Sequence, residues 1–222
     1  MERSVPRIGS WAGWLAVIGI AGYHLVLTVV AGQRVSGTED VAVIKAYYGQ
    51  PIVAILGLEQ FLVVIPVLVF GMVLRETLAT TPRTRLLTNI ALGALVIELP
   101  VVLTEISVQA ALVTAVKTGE PVGGLFRFWD VLYNSALYPI EATWVLGFGL
   151  AMRGNAAFPR FMTWLTPLTS LLLAINVTAI WVGIPDSATL PSAALISVWL
   201  AGASLGLGRV AGADRQAVLS PA

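Results

Sequence analysis

The chain has 222 residues, of which 57% are hydrophobic and 11% are charged, and its mean hydropathy is +0.86. Soluble domains carry about 25% charged residues, so this composition predicts an integral membrane protein. The net charge of +1 excludes the basic surface that nucleic-acid binding requires. With no cysteine and a single histidine, His24, thiolate-bound and His-rich metal sites are excluded, and we expect no metal and no cofactor.

Six apolar windows, each of about the 20 residues that cross a bilayer, follow one another along the chain. They cover residues 10–31, 51–74, 86–116, 126–152, 161–184 and 190–208. The sequence therefore predicts an all-α, polytopic integral membrane helix bundle of about six transmembrane helices, forming one domain over residues 1–209. Residues 210–222 are predicted to be a disordered polar tail. Residues 41–50 are predicted to include a short interfacial helix with Tyr47 and Tyr48 at headgroup level.

The basic residues predict the orientation of these helices. If the N-terminus is cytoplasmic, nine of the 13 lysines and arginines lie on the cytoplasmic side and four on the other side. The positive-inside rule then places both termini in the cytoplasm. We expect a multi-pass protein of the cell inner (plasma) membrane.

Ionisable residues lie inside the predicted spans, where a charge costs about 2.5–3.5 kcal/mol even on a lenient scale. In chain order they are His24, Glu59, Glu98, Glu105, Asp130 and Glu141. None of these groups can face lipid while charged, so they must face one another or a wet cavity. With the orientation above, we expect one polar pocket that opens toward the outer side and tapers inward.

Helical spacing predicts which of these residues share a face. In the fourth window, residues three or four positions apart form one stripe: Arg127, Asp130, Asn134, Tyr138 and Glu141. In the third window, Glu98 and Glu105 are seven positions apart and again share a face. Simpler interpretations stay open: Asn134 and His24 could bond neighbouring helices, and Glu105 and Asp130 could be ordinary groups at helix ends.

A pocket of this composition can carry out proton transfer. A carboxylic acid among apolar groups keeps its proton near neutral pH and can donate it. Aromatic faces, which stabilise cations by about 0.5–2 kcal/mol each, occur beside the acids and in a later span. The aromatic residues of the fourth window are Phe126, Phe128, Trp129, Tyr133, Tyr138 and Trp144, and Trp181 and Trp199 lie in the last two windows. Of these, we expect Phe126, Trp129, Tyr133, Tyr138 and Trp181 to contact the substrate. An acid beside aromatic rings suits protonation of an alkene followed by carbocation rearrangement.

The run GGLFRFWDVLYNSALYPIEATWVLGF, residues 123–148, resembles the Pro-x-Glu segment of the short membrane-integral lycopene cyclases. The shared core is Pro139, Ile140 and Glu141, and the chain departs from that family at Ala142, where a second acid is usual. Size, span count and intramembrane acids also resemble the small membrane terpene cyclases that fold prenylated indoles and meroterpenoids. That resemblance implies Glu59 and an acid in a later span as counterparts.

The sequence therefore predicts a membrane-embedded, metal-independent terpene cyclase acting on a hydrophobic prenylated small molecule within the lipid bilayer. The predicted proton donor is Asp130 or Glu141, then Glu59, and Glu105 or His24 would take the final proton. The predicted substrate-binding residues are His24, Glu98, Phe126, Trp129, Tyr133, Asn134, Tyr138 and Trp181. The alternatives are a small proton-coupled transporter or channel, for which a homodimer is left open, and a structural membrane subunit.

Overall fold

The computed structural model describes residues 4–26, 29, 40–182 and 192–219, with the side chains of 56–62, 134, 179–181, 192 and 214–219 outside the description. The described chain contains helices and turns and no strand. The elements are α1 (Val5–Val26), α2 (Val41–Tyr48), α3 (Pro51–Leu78), α4 (Pro82–Thr118), α5 (Gly123–Val131), a π-helical segment (Leu132–Leu137), α6 (Tyr138–Met152), α7 (Met162–Trp181) and α8 (Ser192–Leu219). The predicted all-α class is confirmed.

Three of these helices are long and apolar enough to cross a membrane, by length and composition: Val5–Val26, Pro82–Thr118 and Ala193–Ala213. A shorter apolar helix covers Met162–Thr178. Large apolar side chains on the outer faces are more than half exposed, among them Trp11, Ile18, Ile65 and Leu171. Contiguous apolar surface of this kind suits contact with lipid, so the chain has the features of a membrane protein.

Local sequence signals set the helix boundaries. At the start of α4, the Thr81 hydroxyl accepts a hydrogen bond from the Thr84 amide, while the Thr84 hydroxyl accepts one from the Thr81 amide. Pro82 occupies the first turn, where its missing N–H has no partner to lose. The helix ends at Gly119, whose φ of 78° is readily adopted only by glycine. Each predicted apolar window overlaps at least one of the described helices.

Small residues let the helices approach closely. Gly13 on α1 lies directly against Phe70 of α3 and Ser204 of α8, so α1 packs between those two helices. Gly147 on α6 lies against α4, where an added Cβ would be 2.9 Å from both Ala91 Cβ and Leu87 O. Membrane helices associate through such contacts because lipid supplies no hydrophobic driving force between them.

Two hydrophobic clusters form the interior. The main core joins α1, α3, α4, α6, α7 and α8 around Phe70, Trp144 and Trp199. A smaller cluster, here called the end cluster, closes one end of the bundle with residues from α1 to α5: Tyr23, Ile44, Tyr47, Tyr48, Val53, Leu112, Val113, Ala115, Val122, Phe126 and Trp129.

The structure differs from two of the predictions made from the sequence. The short helix at 41–48 is present as α2, but Tyr47 and Tyr48 are buried in the end cluster because they pack against α5 and α3. Residues 210–219, predicted as a disordered tail, continue α8 to Leu219. This tail segment contains alanine, glutamine, arginine and leucine, which favour helix even where the segment is polar.

Candidate functional site

A cavity of about 140 Å³ lies inside the bundle and is bordered by both hydrophobic clusters. It is lined by α1, α3, α4, α8 and the stretch from the π-helical segment into α6. Most of the lining is aliphatic, and the lining residues with polar side-chain atoms are Tyr23, His24, Glu98, Glu105, Tyr133, Tyr138, Glu141 and Trp144. We call this space the carboxyl cavity. An apolar protein cavity of about 150 Å³ holds one benzene molecule, so this space suits one ring or one branched end of a longer chain.

Three glutamates from two helices meet in the carboxyl cavity. On α4, Glu98 and Glu105 are seven residues apart, so they lie two turns apart on one face. Glu141, in the first turn of α6, completes the set of acids that line the cavity. Glu105 is buried, with 2% of its surface exposed, and the other two are partly buried. Together with His24, which also lines the cavity, the structure thus brings together four of the six ionisable residues that the sequence placed in the membrane.

Glu98 is held in place by a tryptophan. The indole Nε1 of Trp144 donates a hydrogen bond to Glu98 Oε2 at 2.7 Å, across the α4–α6 interface. Trp144 follows Glu141 by three residues, so both side chains lie on the cavity face of α6. The bond fixes the orientation of the Glu98 carboxyl group, which lines the cavity.

Trp144 is itself packed against a second tryptophan. Its ring meets Trp199 of α8 edge-on, with centroids 5.4 Å apart and planes at 72°. Trp199 Nε1 donates to Thr166 Oγ1 of α7 at 3.0 Å, and both groups are buried. Satisfied polar groups of this kind fix side-chain positions in an apolar interior. Trp144, in the wall of the cavity, is therefore held by contacts with α4 and α8, and Trp199 connects it to α7.

The π-helical segment changes which residues of the fourth window face the cavity. It ends just before Pro139, which has no N–H and whose ring would clash with the Ser135 carbonyl in a regular α-helix. A π turn holds about one residue more than an α turn, which rotates the flanking residues by roughly 100°. The single stripe predicted from Asp130 to Glu141 is consequently broken. Tyr138 and Glu141 line the carboxyl cavity, whereas Asp130 is partly exposed and is absent from its lining.

The predicted aromatic residues that the structure describes likewise fall into two groups, one in the end cluster and one in the lining of the carboxyl cavity. Phe126 and Trp129 are 2% exposed and belong to the end cluster, so they contribute to packing next to the site and not to its lining. Tyr133 connects the two regions because its ring stacks on Trp129, with centroids 5.7 Å apart and planes at 17°, while it also lines the cavity. Tyr138 meets Tyr133 edge-on at 6.3 Å. The aromatic wall of the cavity is thus Tyr133, Tyr138 and Trp144, with Tyr23 added from α1.

His24 reaches the carboxyl cavity from α1, where its ring also makes an edge contact with Tyr23 at 5.2 Å. The predicted site side chains of Glu59, Asn134 and Trp181 lie outside the described part of the structure. Over the residues that are described, no group of three histidines or acids is arranged to hold a metal ion. Trp144 was expected among the aromatic residues near the acids but not among the substrate-binding residues, although its spacing of three residues from Glu141 was a usable signal.

Comparisons of this chain with protein-family models, with curated proteins and with solved structures find no significant match. Its function must therefore be inferred from the residues and the geometry of the carboxyl cavity.

Proposed function

We propose that this chain is a metal-independent terpene cyclase that spans the inner (plasma) membrane six times with both termini in the cytoplasm. The topology is supported by six apolar windows that coincide with α1, α3, α4, the stretch from α5 to α6, α7 and α8. It is also supported by the excess of basic residues on one side, nine against four.

The observation that carries the cyclase proposal is the meeting of three carboxyl groups with aromatic rings in one otherwise apolar cavity. A charge is costly in an apolar space, so acids in such a cavity suit the transfer of a proton to a bound molecule. Glu98 already accepts the bond from Trp144. We therefore assign the donated proton to Glu141, the acid that α6 brings to the cavity beside the two glutamates of α4.

In this reaction the Glu141 carboxyl protonates the terminal alkene carbon, or an epoxide oxygen, of a prenyl chain. The resulting cation is attacked by an internal double bond, which closes a ring and moves the positive charge along the chain. Tyr133, Tyr138 and Trp144 line the same cavity, and aromatic rings stabilise a positive charge of this kind. Glu105 or His24 removes the final proton, so the product is an isomer of the substrate.

The size of the cavity limits how the substrate binds. With about 140 Å³ available, the reacting end of the chain fits inside, and the rest extends between helices into the lipid. Entry from the bilayer matches the apolar surface that the bundle exposes. A hydrophobic prenylated small molecule is the substrate class that meets both conditions.

Product analysis tests this proposal. A host expressing the chain is supplied with farnesylated and geranylgeranylated aromatics, their epoxides and linear carotenoids, and extracts are compared by chromatography and mass spectrometry. We expect a new cyclic isomer of unchanged mass, which acquires one solvent deuterium when the reaction runs in D₂O. Full activity in Glu141→Gln, Asp130→Asn and Glu59→Gln alike would show that protonation by these acids is not the mechanism.

A second candidate function, a small proton-coupled transporter or channel, is favoured by the same convergence of His24 with acids from two other helices. Proton flux into liposomes containing the purified chain distinguishes the two. Flux that depends on Glu141, without conversion of any prenyl substrate, would favour the transporter.

A further inference from the structure

A second cavity, of about 300 Å³, lies where α6 ends and α7 begins, at the end of the bundle opposite the end cluster. Its lining includes Arg153 and Arg160 together with the polar side chains of Asn155 and Thr163. We call this space the arginine cavity. It is separate from the carboxyl cavity and shares no lining residue with it.

The loop that forms the arginine cavity is held in a defined shape. Gly154 adopts a φ of 82°, and Asn155 Oδ1 accepts a hydrogen bond from the Ala157 amide at 3.1 Å. Phe158 is buried and packs directly on Gly206 of α8, where there is no space for a Cβ. From the same helix, Arg209 Nη1 donates to the Ala157 carbonyl at 3.4 Å. The loop is therefore preorganised, so a ligand would not have to order it.

The two arginines of this cavity are available to a ligand. Both are exposed, and their guanidinium groups make no hydrogen bond or ion pair to any residue in the described part of the chain. A guanidinium presents N–H groups in a planar fork that matches the oxygens of a phosphate. Basic pockets between membrane helices at the bilayer surface are a known form of head-group site.

We propose that the arginine cavity binds a phosphate group through Arg153 and Arg160, with Asn155 and Thr163 as additional polar contacts. This group has two sources, the head group of an anionic phospholipid and a soluble phosphate. The site is independent of the proposed cyclase activity, since it lies on the far side of the main core from the glutamates.

Native mass spectrometry of the detergent-solubilised full chain tests the proposal, with apparent dissociation constants measured for phosphatidylglycerol, phosphatidylcholine and inorganic phosphate. The test variant is Arg153→Gln/Arg160→Gln. The matched control is Arg83→Gln/Arg85→Gln, which removes the same charge from exposed arginines in the first turn of α4 that do not line the cavity. Arg153→Gln and Arg160→Gln are also measured singly, so that a folding defect in the double variant leaves the comparison intact.

We expect the wild type to prefer phosphatidylglycerol to phosphatidylcholine and the test variant to bind it roughly tenfold more weakly or worse, with the control near wild type. This result, without binding of inorganic phosphate, supports the site and identifies a lipid source. Tight binding of inorganic phosphate that is lost in the same variant supports the site with a soluble source. Equal phosphatidylglycerol affinity in the test and control variants would overturn the proposal.

Discussion

Trp144 Nε1 donates a hydrogen bond to Glu98 Oε2 at 2.7 Å, which joins α6 to α4 at the wall of the carboxyl cavity. This bond satisfies the indole N–H of a tryptophan that is 2% exposed. It also orients one of the three acids that line the cavity. The same pair of residues therefore contributes to the packing of the bundle and to the geometry of its candidate site.

Replacing Trp144 by phenylalanine should destabilise the protein, because the substitution removes the donor and leaves a partly buried carboxyl oxygen without its bond. The expected loss is about 1–3 kcal/mol, measured as a lower unfolding temperature in detergent. Trp164→Phe is the matched control, since Trp164 is 60% exposed on α7 and should tolerate the change. In Glu98→Leu/Trp144→Phe both partners are removed, and we expect less destabilisation than the sum of the single changes. Strict additivity would mean that the bond contributes nothing.

Gly147→Ala should weaken the contact between α4 and α6. The added Cβ would lie 2.9 Å from Ala91 Cβ and from the Leu87 carbonyl oxygen, and backbone atoms cannot move aside easily. We expect a cost of about 1–3 kcal/mol. Gly93→Ala on α4, where no atom lies within 4 Å, should be neutral or stabilising by up to about 1 kcal/mol. Thermal unfolding of the two variants side by side checks the interface, and equal stability would contradict it.

Hydropathy was sufficient to predict where the long helices lie, because each apolar window overlaps at least one described helix. Spacing on a regular helix was also sufficient for Glu98 and Glu105, which share a face of α4 as predicted. It failed between Asp130 and Glu141, because the π-helical segment inserts an extra residue into the turn and a constant period of 3.6 residues does not apply there.

The sequence pattern also could not predict which aromatic residues are buried by distant parts of the chain. Phe126 and Trp129 occupy the same helical region as the predicted site, yet they pack into the end cluster with Tyr48 of α2. The placement of α2 in three dimensions distinguishes the role of these two rings, which pack against it, from that of Tyr133 and Tyr138, which line the cavity. Trp144 became part of the site through its bond to α4, a contact 46 residues away along the chain.

The proposed topology can be tested with single cysteines, because the natural chain contains none. Glu120→Cys follows α4 and Asn155→Cys follows α6, and both positions are exposed. In intact cells, a membrane-impermeant thiol reagent should label Glu120→Cys. It should label Asn155→Cys only after the membrane is opened. The reverse pattern would contradict the proposed orientation, and labelling of both from outside would contradict the crossing by α5 and α6.

The most direct test of the proposed chemistry compares Glu141→Gln with Asp130→Asn. Both substitutions neutralise an acid in the same helical region, but only Glu141 lines the carboxyl cavity. The measurement is the initial rate at which the purified protein, in lipid, cyclises the substrate identified by product analysis. We expect Glu141→Gln to lose at least about 100-fold in rate, as removal of a general acid does, while Asp130→Asn stays near wild type. An unimpaired Glu141→Gln protein, or a loss confined to Asp130→Asn, would contradict the assignment of the proton to the cavity.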